Sequence, residues 1–393
     1  MSQRQSMSRT RTRKAVRPTL FQRCVLVFTR VFIRAHMKHK YAYDIEPVKI
    51  DEPFIMLSNH TTDNDMLFAL FAVKNHLYFL CSEHLIRQSA FMAWSVKVLN
   101  EIPIFKGSVG AGPTREMLLR IREGNNICIF PEGHHSINGC TEVLDEGCAK
   151  LVKHARCALV TFHISGGYFV QPRWSALWRR GPVKGEIVRI MKPDEIASLS
   201  SEELTEIINR DLYEDAYAVQ QQDPKEYLCE ETASGIENAF LICPRCGAIE
   251  SFHSEGDRFY CDKCGLEGRY DAYGKITGED IHYDSVRDWF NWQSEEFRRR
   301  YDDGICTYSS NDVTLTEITS DHQEKMLAHG VLTGTKDGLT IGEYSFPYKS
   351  MDDMDFIRQD NEMLFCIDRH NYSLKSKYLG GVKYHMLYER SLL

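Results

Sequence analysis

Between Pro53 and Ile190, short apolar runs take turns with amphipathic stretches. Phe54–Leu57 is followed by Asp65–Val73, Leu77–Cys81 by Ala90–Val98, and Ile102–Phe105 by Thr114–Ile121, before the further runs Ile127–Phe130 and Leu159–Ile164. Apolar runs this short have the length of core strands, and the stretches between them have the spacing of helices. Strand and helix in alternation give βαβ units around a sheet covered on both faces. Such sheets bind ligands beyond their strand ends, so functional groups are expected on the loops that follow the apolar runs.

The chain has 393 residues, 43% hydrophobic and 26% charged, which is globular composition with room for two or three domains and excludes disorder, collagen and coiled coil. Charge is unevenly spread. Residues 1–40 hold eleven Arg and Lys and no acid, leaving 37 basic against 55 acidic residues in the rest of the chain. A basic arm on an acidic body suits docking to phosphates at a membrane and argues against a chain that coats nucleic acid. The thirteen cysteines are mostly isolated in apolar surroundings, as Cys24, Cys81, Cys128 and Cys157 are. They read as buried thiols of a reduced compartment, so a cytoplasmic location is expected.

Residues 1–18 read as unstructured, and Leu20–Met37 as a helix that mixes Leu20, Val27, Phe28, Val31 and Phe32 with Arg23, Arg30 and Arg34. Arg23 and Arg30 keep the stretch below the roughly 18 uncharged residues of a spanning helix, so neither transmembrane anchor nor signal peptide is expected. Residues 1–45 are therefore expected to lie on the cytoplasmic face of a membrane, basic groups reaching lipid phosphates; the alternative is a helix docked on the core.

Ser200–Gln222 reads as one helix, capped by Ser200 or Ser201, that closes a domain at residues 46–225. An acidic linker, Asp223–Glu237, leads to a cysteine-rich module at 236–272. Residues 284–393 open with a Trp/Phe helix (Val286, Trp289, Phe290, Phe297), continue in short β-type runs from Val313 to Lys375 and close on a helix, VKYHMLYERSLL. A β-rich accessory domain capped by a helix fits, with a strand order weakly similar to pleckstrin-homology-like modules. Its acidic stretch Met351–Asp355 argues against a strongly anionic ligand there.

Ser58-Asn59-His60-Thr61-Thr62-Asp63-Asn64-Asp65 follows the first apolar run and opens a helix. On an unbroken helix, side chains five residues apart point about 140° from one another. His60 and Asp65 can meet only if His60 precedes the helix, and then a carboxylate holds one ring nitrogen while the other serves as a base. No Ser or Cys sits in a nucleophile-elbow sequence, so the hydroxyl to be deprotonated belongs to a substrate. Phe130-Pro131-Glu132-Gly133-His134-His135-Ser136 is again a strand followed by a turn, and Gly133, lacking Cβ, would let a ligand approach the backbone. Ile104-Phe105-Lys106-Gly107 places Lys106 at another strand end.

In this order and spacing, His60/Asp65, Ile104-Phe105-Lys106 and Phe130-Pro131-Glu132-Gly133 resemble the glycerolipid acyltransferase family, the 1-acylglycerol-3-phosphate and related lysophospholipid acyltransferases. The resemblance covers about residues 45–220. It implies an α/β acyltransferase domain with a mixed sheet covered by helices, joined here to a small zinc ribbon and a β-rich C-terminal domain. It implies that His60 is the general base, that Asp65 orients it, and that Glu132, Gly133 and Lys106 bind the acceptor. The partners implied are an acyl-CoA or acyl-carrier-protein thioester and a lysolipid, foremost 1-acylglycerol-3-phosphate, in phospholipid biosynthesis. Catalysis would need no cofactor. The family often continues the third motif with Thr-Arg-Ser, where His134-His135-Ser136 stands, and often ends the second in Arg, where Lys106 stands; Arg115 or Arg120, or a protonated His134 or His135, would then supply the missing cation. Thr161–Tyr168 falls where the fourth motif would be. The indoles and arginines of Pro172–Arg180 fit either the headgroup level of a bilayer or a turn over packed tryptophan.

Cys243-Pro244-Arg245-Cys246-Gly247 and Cys261-Asp262-Lys263-Cys264-Gly265 are two matching turns fourteen residues apart. Two-residue spacing lets each thiolate pair converge on one tetrahedral ion, which is the pattern of a zinc ribbon with a closed, structural site. Two other functions remain open in the sequence. His60, Asp63, Asp65, His134 and His135 have the side chains of a metal-dependent phosphoester hydrolase, and the ribbon with the β-rich tail could serve a nonenzymatic, membrane-docked adaptor.

Overall fold

The computed structural model describes residues 16–43, 45–105, 111–319, 321–357, 361–377 and 379–392. Lys106 lies outside them. The apolar runs form five parallel strands, β1 (Phe54–Ser58), β2 (Leu77–Ser82), β3 (Ile102–Ile104), β4 (Asn126–Ile129) and β5 (Ala158–Ser165), in the order β3-β2-β4-β1-β5. Every residue of β1 is buried, as the centre of a sheet covered on both faces requires. A sixth strand, β6 (Lys184–Met191), adds antiparallel to β5 at the edge and makes the sheet mixed. Its charges alternate with Ile187 and Val188, so it lacks the continuous apolar run that marks the buried strands. Because β1–β5 run parallel, their carboxyl ends share one edge, and the loops carrying His60, Glu83, Phe105 and Glu132 all leave from it.

The N-terminal rod runs through Leu20–Phe28, a π-helical turn at Thr29–Ile33, and Arg34–Tyr41. Thr19 caps it in a reciprocal box with Gln22, and it stops at Ala42, in the left-handed region with φ 51°. One side is docked: Met37 and Tyr41 are buried, and the Arg30 guanidinium donates to the carbonyls of Val73, Lys74 and Asn75. The other side leaves Leu20, Val27, Phe28, Val31 and Phe32 each more than half exposed. No described helix is long and apolar enough to cross a membrane. Cys24, expected to be buried, is exposed on this rod.

One further expectation changes. The stretch Ser200–Gln222 is two helices, Ser201–Leu212 and Ala216–Gln222, because Asp215 caps the second and Glu214 in the break turns inward. Of the two readings of Pro172–Arg180, the structure has the turn over packed tryptophan: Trp174 is fully buried, edge-on to Tyr270, and the Arg179 guanidinium lies over both rings.

The cysteine module is a four-stranded antiparallel sheet, β7 (Phe252–Glu255), β8 (Arg258–Cys261), β9 (Glu267–Tyr270) and β10 (Ile276–Thr277). It is not a bead on a linker. Its Phe240, Phe252 and Phe259 surround Trp289 and belong to the same hydrophobic cluster as Phe68, Phe169 and Trp174, which lie outside the strands of the first sheet. The tail is a seven-stranded antiparallel sheet formed by β11 (Tyr308–Ile318), β12 (Glu324–Gly334), β13 (Gly338–Ile341), β14 (Tyr344–Pro347), β15 (Met351–Ile357), β16 (Glu362–Ile367) and β17 (His370–Lys375). Its order is β14-β13-β12-β11-β17-β16-β15, two meanders joined through β11 and β17. Helix Gly381–Ser391 closes its core through Tyr384, Leu387 and Tyr388, together with Phe297 of helix Val286–Asp302.

Candidate active site

His60 precedes its helix, which starts at Asp65, so the geometric condition for the pair is met. Nδ1 of His60 lies 2.9 Å from Oδ2 of Asp65, whose side chain has no solvent exposure. The same carboxylate accepts from the backbone amides of Thr61 and Thr62 and from both threonine hydroxyls, at 2.9 Å for Thr61 Oγ1 and 3.0 Å for Thr62 Oγ1. A buried charge held by this many donors is a fixed anion aimed at one ring nitrogen. The ring is clamped as well, stacked on Phe130 at 4.5 Å between centroids and met edge-on by His135 at 4.2 Å.

Glu132 joins two loops. Its Oε1 accepts from the His60 amide at 2.8 Å and its Oε2 from the Glu142 amide at 3.2 Å, so both oxygens tie loops together. Burial pushes its carboxyl up to about 8, against the pull of those two amide donors. Gly133 turns the chain at φ +73°, with open space where a Cβ would stand, so the left-handed backbone is what requires glycine there.

A cavity of about 10 Å³ beside the imidazole is lined by His60, Thr61, Glu132, Ser136, Gly139, Cys140, Thr141, Tyr168 and Glu214. It contains no Lys or Arg among the described residues. Arg115 is exposed on helix Ala111–Arg122 and is not part of the lining. Arg120 is committed elsewhere, to Glu116, the Asn100 carbonyl and the face of Tyr78. The structure therefore brings together His60, Asp65, Glu132 and Gly133 and leaves Arg115 apart. His60, Asp63, Asp65, His134 and His135 do not converge as a metal set; among the described residues, only the four cysteines do.

Residues 39–165 match the family model described as Acyltransferase. This segment is an Acyltransferase-family domain. A solved structure, that of the 1-acyl-sn-glycerophosphate (LPA) acyltransferase, PlsC, from Thermotoga maritima, is similar at 20% identity over 51% of this chain and 81% of that one, with a TM-score of 0.43. No curated protein matches the chain.

Several residues that build the site of the acyltransferase domain carry no motif. Asn59 locks the His60 loop to β5, donating to the Ile164 carbonyl at 2.8 Å and accepting from its amide at 2.7 Å. Gly167 is forced by proximity, since a Cβ there would stand 2.1 Å from the Thr61 hydroxyl. Glu214, which lines the cavity, accepts from Ser165 at 2.8 Å and lies 2.9 Å from His163 Nε2. Asn59 adjoins the motif and could be suspected from it; Glu214 is some 150 residues from His60 and has no local signal.

The four thiols stand beside the acyltransferase domain as one group, their sulfurs all within 4.8 Å of one another. Cys243 and Cys264 are 3.6 Å apart and Cys246 and Cys261 3.8 Å. Tetrahedral bonds of about 2.3 Å to one ion separate sulfurs by about 3.8 Å, so the group fits a four-coordinate metal. Gly247 and Gly265 turn each knuckle at φ +71° and +70°, donating to the carbonyls of Cys243 and Cys261.

Proposed function

We propose that the chain moves a fatty acyl group from an acyl-CoA or acyl-carrier-protein thioester to the hydroxyl of a lysolipid, with 1-acylglycerol-3-phosphate as the acceptor to test first. The observation that carries this reading is the fixed Asp65 carboxylate on His60 Nδ1, in an Acyltransferase-family domain without a nucleophile-elbow serine. Asp65 holds the tautomer with the proton on Nδ1, which frees Nε2 to accept a proton. As the acceptor oxygen bonds to the thioester carbonyl carbon, its proton passes to Nε2. When the tetrahedral adduct collapses, the carbon–sulfur bond breaks and the thiolate leaves with the proton returned from the imidazolium, which Asp65 stabilises. Glu132 and Asn59 act by holding the loop that presents His60.

The four cysteines hold a structural Zn²⁺ in this reading, and the exposed apolar side of the N-terminal rod, with the basic arm before it, rests on the cytoplasmic face of a membrane. His60→Ala tests the chemistry. A placed base is worth about 10²–10⁴ in rate, so transfer to 1-acylglycerol-3-phosphate, followed by mass spectrometry of products from both donor types, is expected to fall by that factor while melting temperature holds. Undiminished turnover in a folded His60→Ala protein would remove the dyad from the mechanism.

A further inference from the structure

The carboxyl edge of the β1–β5 sheet is where substrates must reach His60, and the C-terminal β-domain is seated along that edge. Just past β2, Arg87 donates to Glu83 at 3.0 Å and reaches across to Glu362 of β16 at 3.2 Å and to Glu324 of β12. His84 Nδ1 lies 3.1 Å from the second oxygen of Glu362. At the tip of the β11–β12 hairpin, His322 meets Glu83 at 2.9 Å, and its ring stacks on Phe105, just past β3. At the far end, beyond β5, Arg173 donates to Asp355 at 2.9 Å and to the Phe356 carbonyl at 3.0 Å, both on β15. Its other nitrogen donates to the His135 carbonyl of the catalytic loop at 3.2 Å. Between these ends, His385 of the last helix faces His134.

The domain thus spans the catalytic edge and is fastened at both ends by ion pairs that are mostly buried, with Glu83, Glu362 and Arg87 each less than a tenth exposed.

We propose that the C-terminal β-domain is an autoinhibitory cover, clasped shut by Arg87–Glu362 at one end and Arg173–Asp355 at the other, and that it must swing off the edge for substrate to enter. Salt screens buried pairs little, so an anionic surface that competes for the clasp's arginines is the kind of signal that would release it. The activity side of this inference rests on the proposed acyl transfer; the cover itself does not.

The test uses the full-length chain with Glu362→Gln and, separately, Asp355→Ala. Neither residue touches the catalytic dyad. Hydrogen–deuterium exchange of peptides covering 58–65 and 130–142 is expected to speed up by about tenfold or more in each variant, the least that follows from losing one partner of a buried charge pair. Turnover of lysolipid at matched protein concentration is expected to rise severalfold. Unchanged exchange in both variants overturns the cover. Where transferase activity is present, faster exchange with unchanged or reduced turnover also overturns it, since the domain would then be a needed wall of the site. Absence of transferase activity from the wild type and from both variants would count against the proposed function alone, and the exchange comparison would still decide the clasp.

Discussion

Two carboxylates at the site divide the labour by what they bond. Asp65 spends its acceptor capacity on His60, Thr61 and Thr62 and so fixes a ring. Glu132 spends its own on two backbone amides and so fixes a loop. The second arrangement has a pH signature. With its folded value raised to about 8 by burial, from an ordinary value near 4.5, Glu132 binds its proton more tightly in the folded chain than in the unfolded one. Its contribution to stability is fully present below about pH 4.5, is lost as pH rises toward 8, and changes no further above that. Thermal melts of the wild type and Glu132→Gln from pH 5 to 9 isolate this term: the wild type is expected to lose stability relative to the variant up to about pH 8. A difference that stays flat across that window would mean Glu132 ionises as an ordinary carboxylate.

The N-terminal rod shows how an element serves two surfaces. Arg30 and the buried Met37 and Tyr41 pin it to the core, while Phe28 and Phe32, with rings 4.8 Å apart, point outward next to Val27 and Val31. Helix Ala90–Leu99 extends the apolar face, since its Trp94 meets Phe21 edge-on at 6.3 Å and Phe91 lies exposed beside it. Burying one phenylalanine in the bilayer boundary is worth about 1.5–3 kcal/mol. Replacing both Phe28 and Phe32 by Asp is therefore expected to reduce partition onto anionic phospholipid vesicles by at least about a hundredfold, read by flotation, with the fold unchanged by circular dichroism. Equal flotation of the double variant would place docking elsewhere. Elements of this kind are legible in the sequence, because apolar periodicity and the loop-before-helix position of His60 are local. The rest is not, for reasons seen in particular residues. β6 exposes Lys184 and Glu186 on the same side as Val188 and Ile190, and its Arg189 is on the other side because it pairs with Asp211 at 2.7 Å, so no continuous apolar run marks it. The break at Tyr213–Asp215 exists because Asp215 pairs with Arg287 at 2.7 Å and Glu214 with His163 at 2.9 Å, partners supplied by distant strands and helices.

Across the whole molecule, the cysteine module reads in the sequence as an appendage, yet in the structure Phe240, Phe252, Phe259 and Trp289 complete the core that Phe169 and Trp174 begin. Metal binding in a ribbon is folding energy, because the convergent thiolates have no counterpart in the unfolded chain. A metal held by the four cysteines would, if lost, loosen the wall against which Phe169 of helix Gly167–Val170 packs, and Gly167 of that helix in turn abuts Thr61. Removing it is therefore expected to act on the acyltransferase domain as well as on the ribbon. Calorimetry of the full-length chain, dialysed against a strong zinc chelator or carrying Cys246→Ser, is expected to show melting lowered by about 10 °C or more, from several kcal/mol lost at about 2–4 °C each. Acyl transfer is expected to decline with it, and Zn²⁺ to restore both in the dialysed wild type but not in the variant. A ribbon that melted alone, leaving a separate and unshifted transition for the rest of the chain, would show that the shared aromatic cluster does not couple the two.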